Sequence, residues 1–316
     1  MPNPRQVARG LLMQLPPLAR LTADRDQERA RRRKLQGQLA TYKRGYPPGH
    51  YYSPIPDLDD VRAREHQIFD RSQPEVPGVD LRAADQLALL PEFARLYAEQ
   101  PFADEPADGL RYGFANAYFG YGDGLALYGM LRHLQPKRLV EVGSGWSSAL
   151  ALDVNDRFLD GAMQCTFLEP YPARLHELLR PADKDRARIV EQPLHAVADE
   201  VFADLEAGDL LFIDSTHVSR VGSDVNRLFL EIVPALPPGV HVHVHDIFWP
   251  FEYPEAWVYE GRAWNESYLL RALLIGNDRL RVTWFNDYLG RFHSDAVAEA
   301  MPLWRRNPGG SIYLET

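Results

Sequence analysis

The chain has 316 residues, too many for one minimal core and too few for three ordinary domains, so one large domain with extensions is expected. Hydrophobic residues at 45%, charged residues at 25% and aromatics at 11% exclude fibrous and wholly disordered chains, and no run of about 18 apolar residues exists to span a membrane. The net charge of −9 is uneven: residues 1–50 carry eleven Lys or Arg against three Asp or Glu, leaving −17 on the rest, a poor surface for nucleic acid.

The first segment, Met1–Arg20, has an apolar patch at Leu11–Leu15 but lacks the long apolar core and cleavage site of a secretory signal. A cytoplasmic protein is expected. The single cysteine, Cys165, sits in an apolar run and reads as a buried, inert thiol in a reducing compartment. From Leu21 to Lys43 the sequence is polar, with Arg29, Arg31, Arg32, Arg33 and Lys34 clustered, which predicts an exposed basic helix. Such a helix is either simply solvated or an arm for a homodimer or an acidic surface. Gly45–Pro56 holds Pro47, Pro48, Pro54 and Pro56, which fix an extended linker or clamp. Residues 1–56 therefore read as arm and linker.

Residues 57–135 read as a helical cap region: Leu58–Phe69, Ala83–Glu99 and Gly124–Leu134, with a loop at Asn116–Gly124. After Pro136, short apolar runs alternate with amphipathic stretches. The predicted strands are Arg138–Val142, Gln164–Glu169, Ala187–Glu191, Asp209–Ile213 and Val240–His245, with a late pair at Leu280–Asn286 and Ser311–Glu315. The expected fold is α/β: a doubly wound, mostly parallel seven-stranded sheet spanning 136–316, behind a helical N-terminal extension. Ligands in such sheets bind beyond the carboxyl ends of the strands, where strand order reverses.

The first strand ends in Glu141-Val142-Gly143-Ser144-Gly145-Trp146-Ser147-Ser148, in which two glycines permit a tight turn and a helix start offers free N–H groups. A dinucleotide fingerprint would want a third glycine at Ser148, so a nicotinamide-dependent oxidoreductase is the weaker alternative. Glu169 ends the second strand, where a carboxylate can accept both hydroxyls of a ribose. Asp214 and Asp246 end neighbouring strands, so both carboxylates project over one edge within reach of a common ion.

Histidines fall into two groups. His241, His243 and His245 share one strand face, and about 3.3 Å of rise per residue puts the first some 13 Å from the last. They cannot share one ion; His241 and His243 are expected to pack against covering elements, and only His245 reaches the ligand edge. His217 lies three residues past Asp214 and is the best general base near an ordinary imidazole pKa; a loop cap is its plainer role. Asp224 most simply caps the next helix. The stretch Phe248–Leu270 is dense in aromatics and follows the fifth strand, where a substrate lid belongs, although part of it must be core. Asn265 and Glu266 begin a helix and either cap it or reach the substrate. Tyr51–Pro54 and Tyr118–Asp123 are candidates to close the other side of the cleft.

Glu141 with GSG after the first strand, Glu169 after the second, and Ile213-Asp214-Ser215-Thr216-His217 after the fourth resemble class I S-adenosylmethionine-dependent methyltransferases over roughly residues 110–316. With His245-Asp246 after the fifth strand, the resemblance is to the branch holding small-molecule O-methyltransferases of sugar and antibiotic tailoring, which often uses a divalent metal. It implies S-adenosylmethionine as cofactor, with Glu141, Gly143, Ser144, Gly145 and Ser148 at its methionine end, Glu169 on the ribose, Gln192 and Leu194 beside the adenine, and Asp214 and Ser215 closing the site. It also implies metal ligands Asp214, His245 and Asp246, and catalytic roles for His217 and His245. The branch often has two acidic residues where this chain has His245-Asp246, and an imidazole suits manganese or iron better than magnesium. Ser147 stands where the family usually has a third glycine. The acceptor is expected to be a small polar molecule: a glycan hydroxyl, a phenol or a natural-product intermediate. The non-enzymatic alternative is a nucleoside-binding protein that meets a partner through its basic helix.

Overall fold

The computed structural model describes residues 16–42 and 45–316, which fall into two compact units, one ending at Arg64 and one comprising Glu65–Thr316. The apolar patch Leu11–Leu15 and Lys43 lie outside the described residues.

In the first unit, helix α1 (Pro16–Tyr42) is exposed throughout residues 24–40, in accord with a sequence that is polar on every side. The proline-rich segment places Tyr46 on His50 at 4.6 Å between ring centres and Tyr51 on Tyr52 at 4.3 Å. Helix α2 (Leu58–Ala63) starts at Asp57, whose carboxylate accepts the Asp59 N–H, and breaks at Arg64; a single helical turn, Glu65–Ile68, follows and ends one residue before the expected Phe69.

In the second unit, the helix expected over Ala83–Glu99 is two helices, α3 (Ala83–Ala88) and α4 (Leu90–Tyr97). Pro91 is the cause: it lacks an N–H and its ring fits only the first turn of a helix, so the chain restarts there. Leu90, Phe93 and Leu96 form the buried stripe of α4. Helix α5 (Tyr121–Leu134) is buried from Gly122 to Leu131. Ahead of it, the Arg111 guanidinium is buried among three carboxylates: Asp153 at 2.7 Å, Asp156 at 2.9 Å, and Asp183. This cluster ties the segment before α5 to helix α6 (Trp146–Phe158) and to the turn Pro181–Asp185. The helices from residue 65 onward fall in one compact unit with the sheet.

The sheet has seven strands: β1 (Arg138–Val142), β2 (Gln164–Leu168), β3 (Arg188–Val190), β4 (Leu210–Ile213), β5 (His241–His245), β6 (Arg281–Phe285) and β7 (Ser311–Glu315). Their order is β3-β2-β1-β4-β5-β7-β6, with β1 to β5 parallel and β7 antiparallel to both neighbours. The order reverses at β1, which has β2 on one side and β4 on the other. A right-handed α/β chain leaves a crevice at such a point, above the strand ends. The β4 strand is buried at every position, as a strand covered on both faces must be. Among the described residues, no helix is long and apolar enough to cross a membrane.

Candidate functional site

Register fixes the site. Val142 pairs with Leu168 and with Ile213, so Gly143, Glu169 and Asp214 each lie one residue past a strand end, at one level. Backbone bonds continue that level: Gly143 N–H donates to Leu168 O at 3.0 Å, Asp214 N–H to Val142 O at 2.8 Å, and Glu169 N–H to Val190 O at 3.1 Å. Gly143 takes φ +82°, and a β-carbon on it would stand 1.8 Å from Asp214 O. Only glycine fits there.

Above this level lies a cavity of about 640 Å³. Of the ten residues expected at the donor, six line it: Gly143, Glu169, Gln192, Leu194, Asp214 and Ser215. Glu169 accepts the Ser144 N–H at 3.2 Å and the Tyr171 N–H at 2.8 Å, which braces the carboxylate and leaves lone pairs facing the cavity. Ser144 and Gly145 form the bend beside it.

Glu141 and Ser148 are placed differently from expectation. Glu141 is 1% exposed and sits behind the bend, where the hydroxyls of Ser147 and Ser148 meet its two oxygens, the latter at 2.7 Å. Ser148 Oγ also accepts the Gly145 N–H at 3.0 Å. Burial pushes the Glu141 carboxyl up to about 8, against the pull of the two hydroxyls. It shapes the bend from below and does not line the cavity. Ser147, in place of a third glycine, is what anchors α6 to that carboxyl.

The second cluster stands past β4 and β5. Asp214, His217 and Asp246 each offer one ligand atom, all within 4.8 Å of one another. His217 Nε2 lies 3.3 Å from Asp214 and 3.6 Å from Asp246, while its Nδ1 lies 2.8 Å from Glu266 Oε2. His217 and Asp246 both have positive φ, at 59° and 57°, a conformation that costs a non-glycine residue roughly 1–2 kcal/mol. The surroundings enforce it: His217 O accepts the N–H groups of Asn265 and Glu266, the Asn265 side chain accepts the Ser219 N–H at 2.6 Å, and Trp264 packs on the imidazole at 4.3 Å. Glu266 and Asn265 thus begin helix α7 (Glu266–Leu274) by gripping the His217 loop.

Electrostatics here oppose the reading of His217 as an ordinary base. Burial alone would lower its pKa, but Asp214 and Glu266 overcome that and push it up to about 11. In this arrangement the imidazole is a cation at neutral pH. Burial raises the Asp246 carboxyl despite His245 and His217, whereas Asp214 is held below its ordinary value by His245, His217 and Arg174 acting against burial. These groups titrate as a set.

His245, expected among the metal ligands, is not in the cluster. It pairs in register across from Ser311, its Nε2 is 3.7 Å from Asp246, and its ring faces Phe119 and His243 inside the sheet. His217 takes its place, because strand alternation keeps His245 on the buried face with His243. His243 is fully buried and stacks on Phe212 at 3.8 Å, as expected of a packed histidine, and His241 borders a separate cavity of about 210 Å³ at the opposite pole. Asp224 is the first residue of the helix Asp224–Arg227 and bonds Thr216, while Ser223 provides the cap.

The family described as a methyltransferase domain matches residues 140–247, the stretch that holds both clusters up to the Asp246 loop. An uncharacterized protein of Archaeoglobus fulgidus is 36% identical over 166 residues, 51% of this chain and 74% of that relative. Residues 140–247 form a methyltransferase domain. Two solved structures are similar in chain path: a Podospora anserina methyltransferase bound to S-adenosylhomocysteine and the Streptomyces achromogenes O-methyltransferase TomG, of tomaymycin synthesis, bound to S-adenosylmethionine. The first is 15% identical with TM-score 0.41, covering 83% of this chain and 97% of that one. The second is 16% identical with TM-score 0.33, covering 72% and 88%.

Around this methyltransferase domain the aromatic segment divides. Trp249, Phe251 and Tyr253 are core, at 0%, 1% and 2% exposure, and Tyr253 accepts the Ser267 N–H at 3.1 Å. Trp257 and Trp264 are half-buried and hold the Arg262 guanidinium at 4.1 and 5.2 Å. Cys165 is buried and its thiol pushed up to about 12 by burial, an inert sulfur. The residue missed as a partner of His217 was Glu266: its sequence position marks a helix start, and nothing local says that its carboxylate turns toward a loop 49 residues earlier.

Proposed function

We propose that this methyltransferase transfers the sulfonium methyl of S-adenosylmethionine to an oxygen of a small polar acceptor. One observation carries the reading: a glycine bend and the carboxylate braced against it line one cavity at the reversal point of the sheet, with Asp214 completing the floor. Gly143 and the Ser144–Gly145 bend hold the methionine end, Glu169 the ribose hydroxyls, and Gln192 and Leu194 flank the adenine, with Asp214 and Ser215 between donor and acceptor.

The acceptor enters over Asp214, His217 and Asp246, under Trp264. The sulfonium already activates the methyl, so the chain's work is alignment and removal of one proton. That proton passes to the coupled Asp214–His217–Asp246 set rather than to a neutral His217: Asp246, whose carboxyl burial raises, accepts it, and the imidazolium, fixed by Glu266, balances the charge that stays on Asp214. A divalent cation would be held by the two carboxylates and His217 Nε2 only after displacing the Nε2 proton, and that mixed donor set suits manganese or iron better than magnesium. Such an ion supplies Lewis acidity to the acceptor oxygen when bound. The exposed α1 is proposed as a homodimer arm.

Incubation with methyl-labelled donor and an acceptor library, with and without chelator, tests this reading. Label in an O-methyl product is the expected result; no transfer to any hydroxyl acceptor, with the metal supplied, counts against it.

A further inference from the structure

Arg174 is the second residue of the helix Ala173–Leu178, four residues after Pro170 and beside the cavity rim. The side chain turns back over the glycine bend. Its Cδ lies 3.3 Å from where a β-carbon on Gly145 would stand, and its guanidinium caps the Tyr118 ring at 3.7 Å. The second glycine of the bend is thus the residue that leaves Arg174 room to cross it. No carboxylate among the described residues is within ion-pair distance of this guanidinium, although its charge reaches the cavity floor at Asp214.

A second group at the bend is also unsatisfied. Ser144 Oγ is buried without a hydrogen-bond partner among the described residues. Buried hydroxyls in folded proteins nearly always have one. A cation without a counter-ion and a donor without an acceptor converge on the same turn, and both call for oxygen atoms bearing negative charge.

We propose that Arg174, with the Ser144 hydroxyl, binds the α-carboxylate of the donor's amino-acid end and makes this chain selective for donors that keep it. The inference rests on the donor reading above, which places the methionine end at this bend. Tyr118 holds the guanidinium in place beforehand: a cation over an exposed ring is bound more weakly than one paired with a carboxylate, so the arginine can pass from ring to ligand. Tyr118 is 60% exposed and Arg174 is exposed, so neither is part of the core.

Titration calorimetry with two ligands tests this. S-adenosylhomocysteine carries the carboxylate; 5′-methylthioadenosine keeps the nucleoside and sulfur and lacks it. Arg174→Met is expected to weaken the first by about 10- to 100-fold and the second by less than about threefold, with Arg174→Lys between. An equal loss for both ligands, or no loss for either, overturns the role of Arg174. A wild-type protein that takes up neither ligand overturns the donor reading, and this inference with it. Thermal unfolding of both variants, expected at the wild-type midpoint, separates loss of the contact from loss of the fold.

Discussion

His217 Nδ1 meets Glu266 Oε2 at 2.8 Å, and both side chains are buried, at 6% and 1% exposure. This ion pair joins the loop after β4 to the start of α7. Removing Glu266 leaves Asp214 and Asp246 facing His217 Nε2 but strands its Nδ1–H, the loss of a buried hydrogen bond to a charged group, at a cost of about 1.5–3 kcal/mol. Glu266→Ala should therefore lower stability by that order in a denaturant titration, while Glu266→Gln, which keeps an acceptor, should cost less. Equal stability of Glu266→Ala and wild type would remove the pair from the account.

Asp246 does not line the donor cavity and belongs to the cluster proposed to accept the proton. Asp246→Asn is expected to reduce methyl transfer by about 10²- to 10⁴-fold, the usual span for a lost acid–base contribution, with S-adenosylhomocysteine affinity retained. A fall in donor affinity of the same size would instead place Asp246 in donor binding.

Glu141 gives the clearest pH dependence. Its carboxyl is raised from 4.5 to about 8 in the folded chain, so the fold favours the neutral acid. The stabilisation is complete below the ordinary value and disappears as pH rises through about 8, because the unfolded chain ionises first. Measured against Glu141→Gln, which does not titrate, wild type should lose relative thermal stability between about pH 5 and pH 9. Parallel curves for the two proteins would show an unshifted carboxyl.

Arg111 is a stability residue with no place at the site. Arg111→Met strands Asp153 and Asp183 in the interior, for about 3–5 kcal/mol, or roughly 6–20 °C in unfolding midpoint. Differential scanning calorimetry reads the shift, and ligand affinity well below the midpoint should be unchanged. A midpoint within about 2 °C of wild type would show that the cluster is solvated rather than buried.

Much of the sheet was legible because a parallel strand covered on both faces leaves a run of apolar residues, as in Leu210–Ile213, and a ligand loop at its end leaves Gly or Asp. Gly143, Glu169 and Asp214 were visible for that reason. Helix breaks at Arg64 and around Pro91 were blurred, since a continuous pattern hides a local restart. The aromatic run after β5 concealed its division into core and rim, which depends on what packs from β6 and α7. Least legible was the second cluster. Neighbouring strand ends suggested His245, but the side chain of a strand residue points by parity, and His245 shares the buried face of His243. His217 enters through a left-handed backbone turn and a distant carboxylate, neither of which sequence spacing encodes.

The central claim is that the cavity lined by Gly143 and Glu169 holds the adenosyl methyl donor. Isothermal titration of wild type and Glu169→Ala with S-adenosylhomocysteine addresses it most directly. One-to-one binding by wild type, weakened by about tenfold or more in the variant through loss of the ribose contacts, is expected. Absence of heat with wild type, or full affinity in Glu169→Ala, would contradict it.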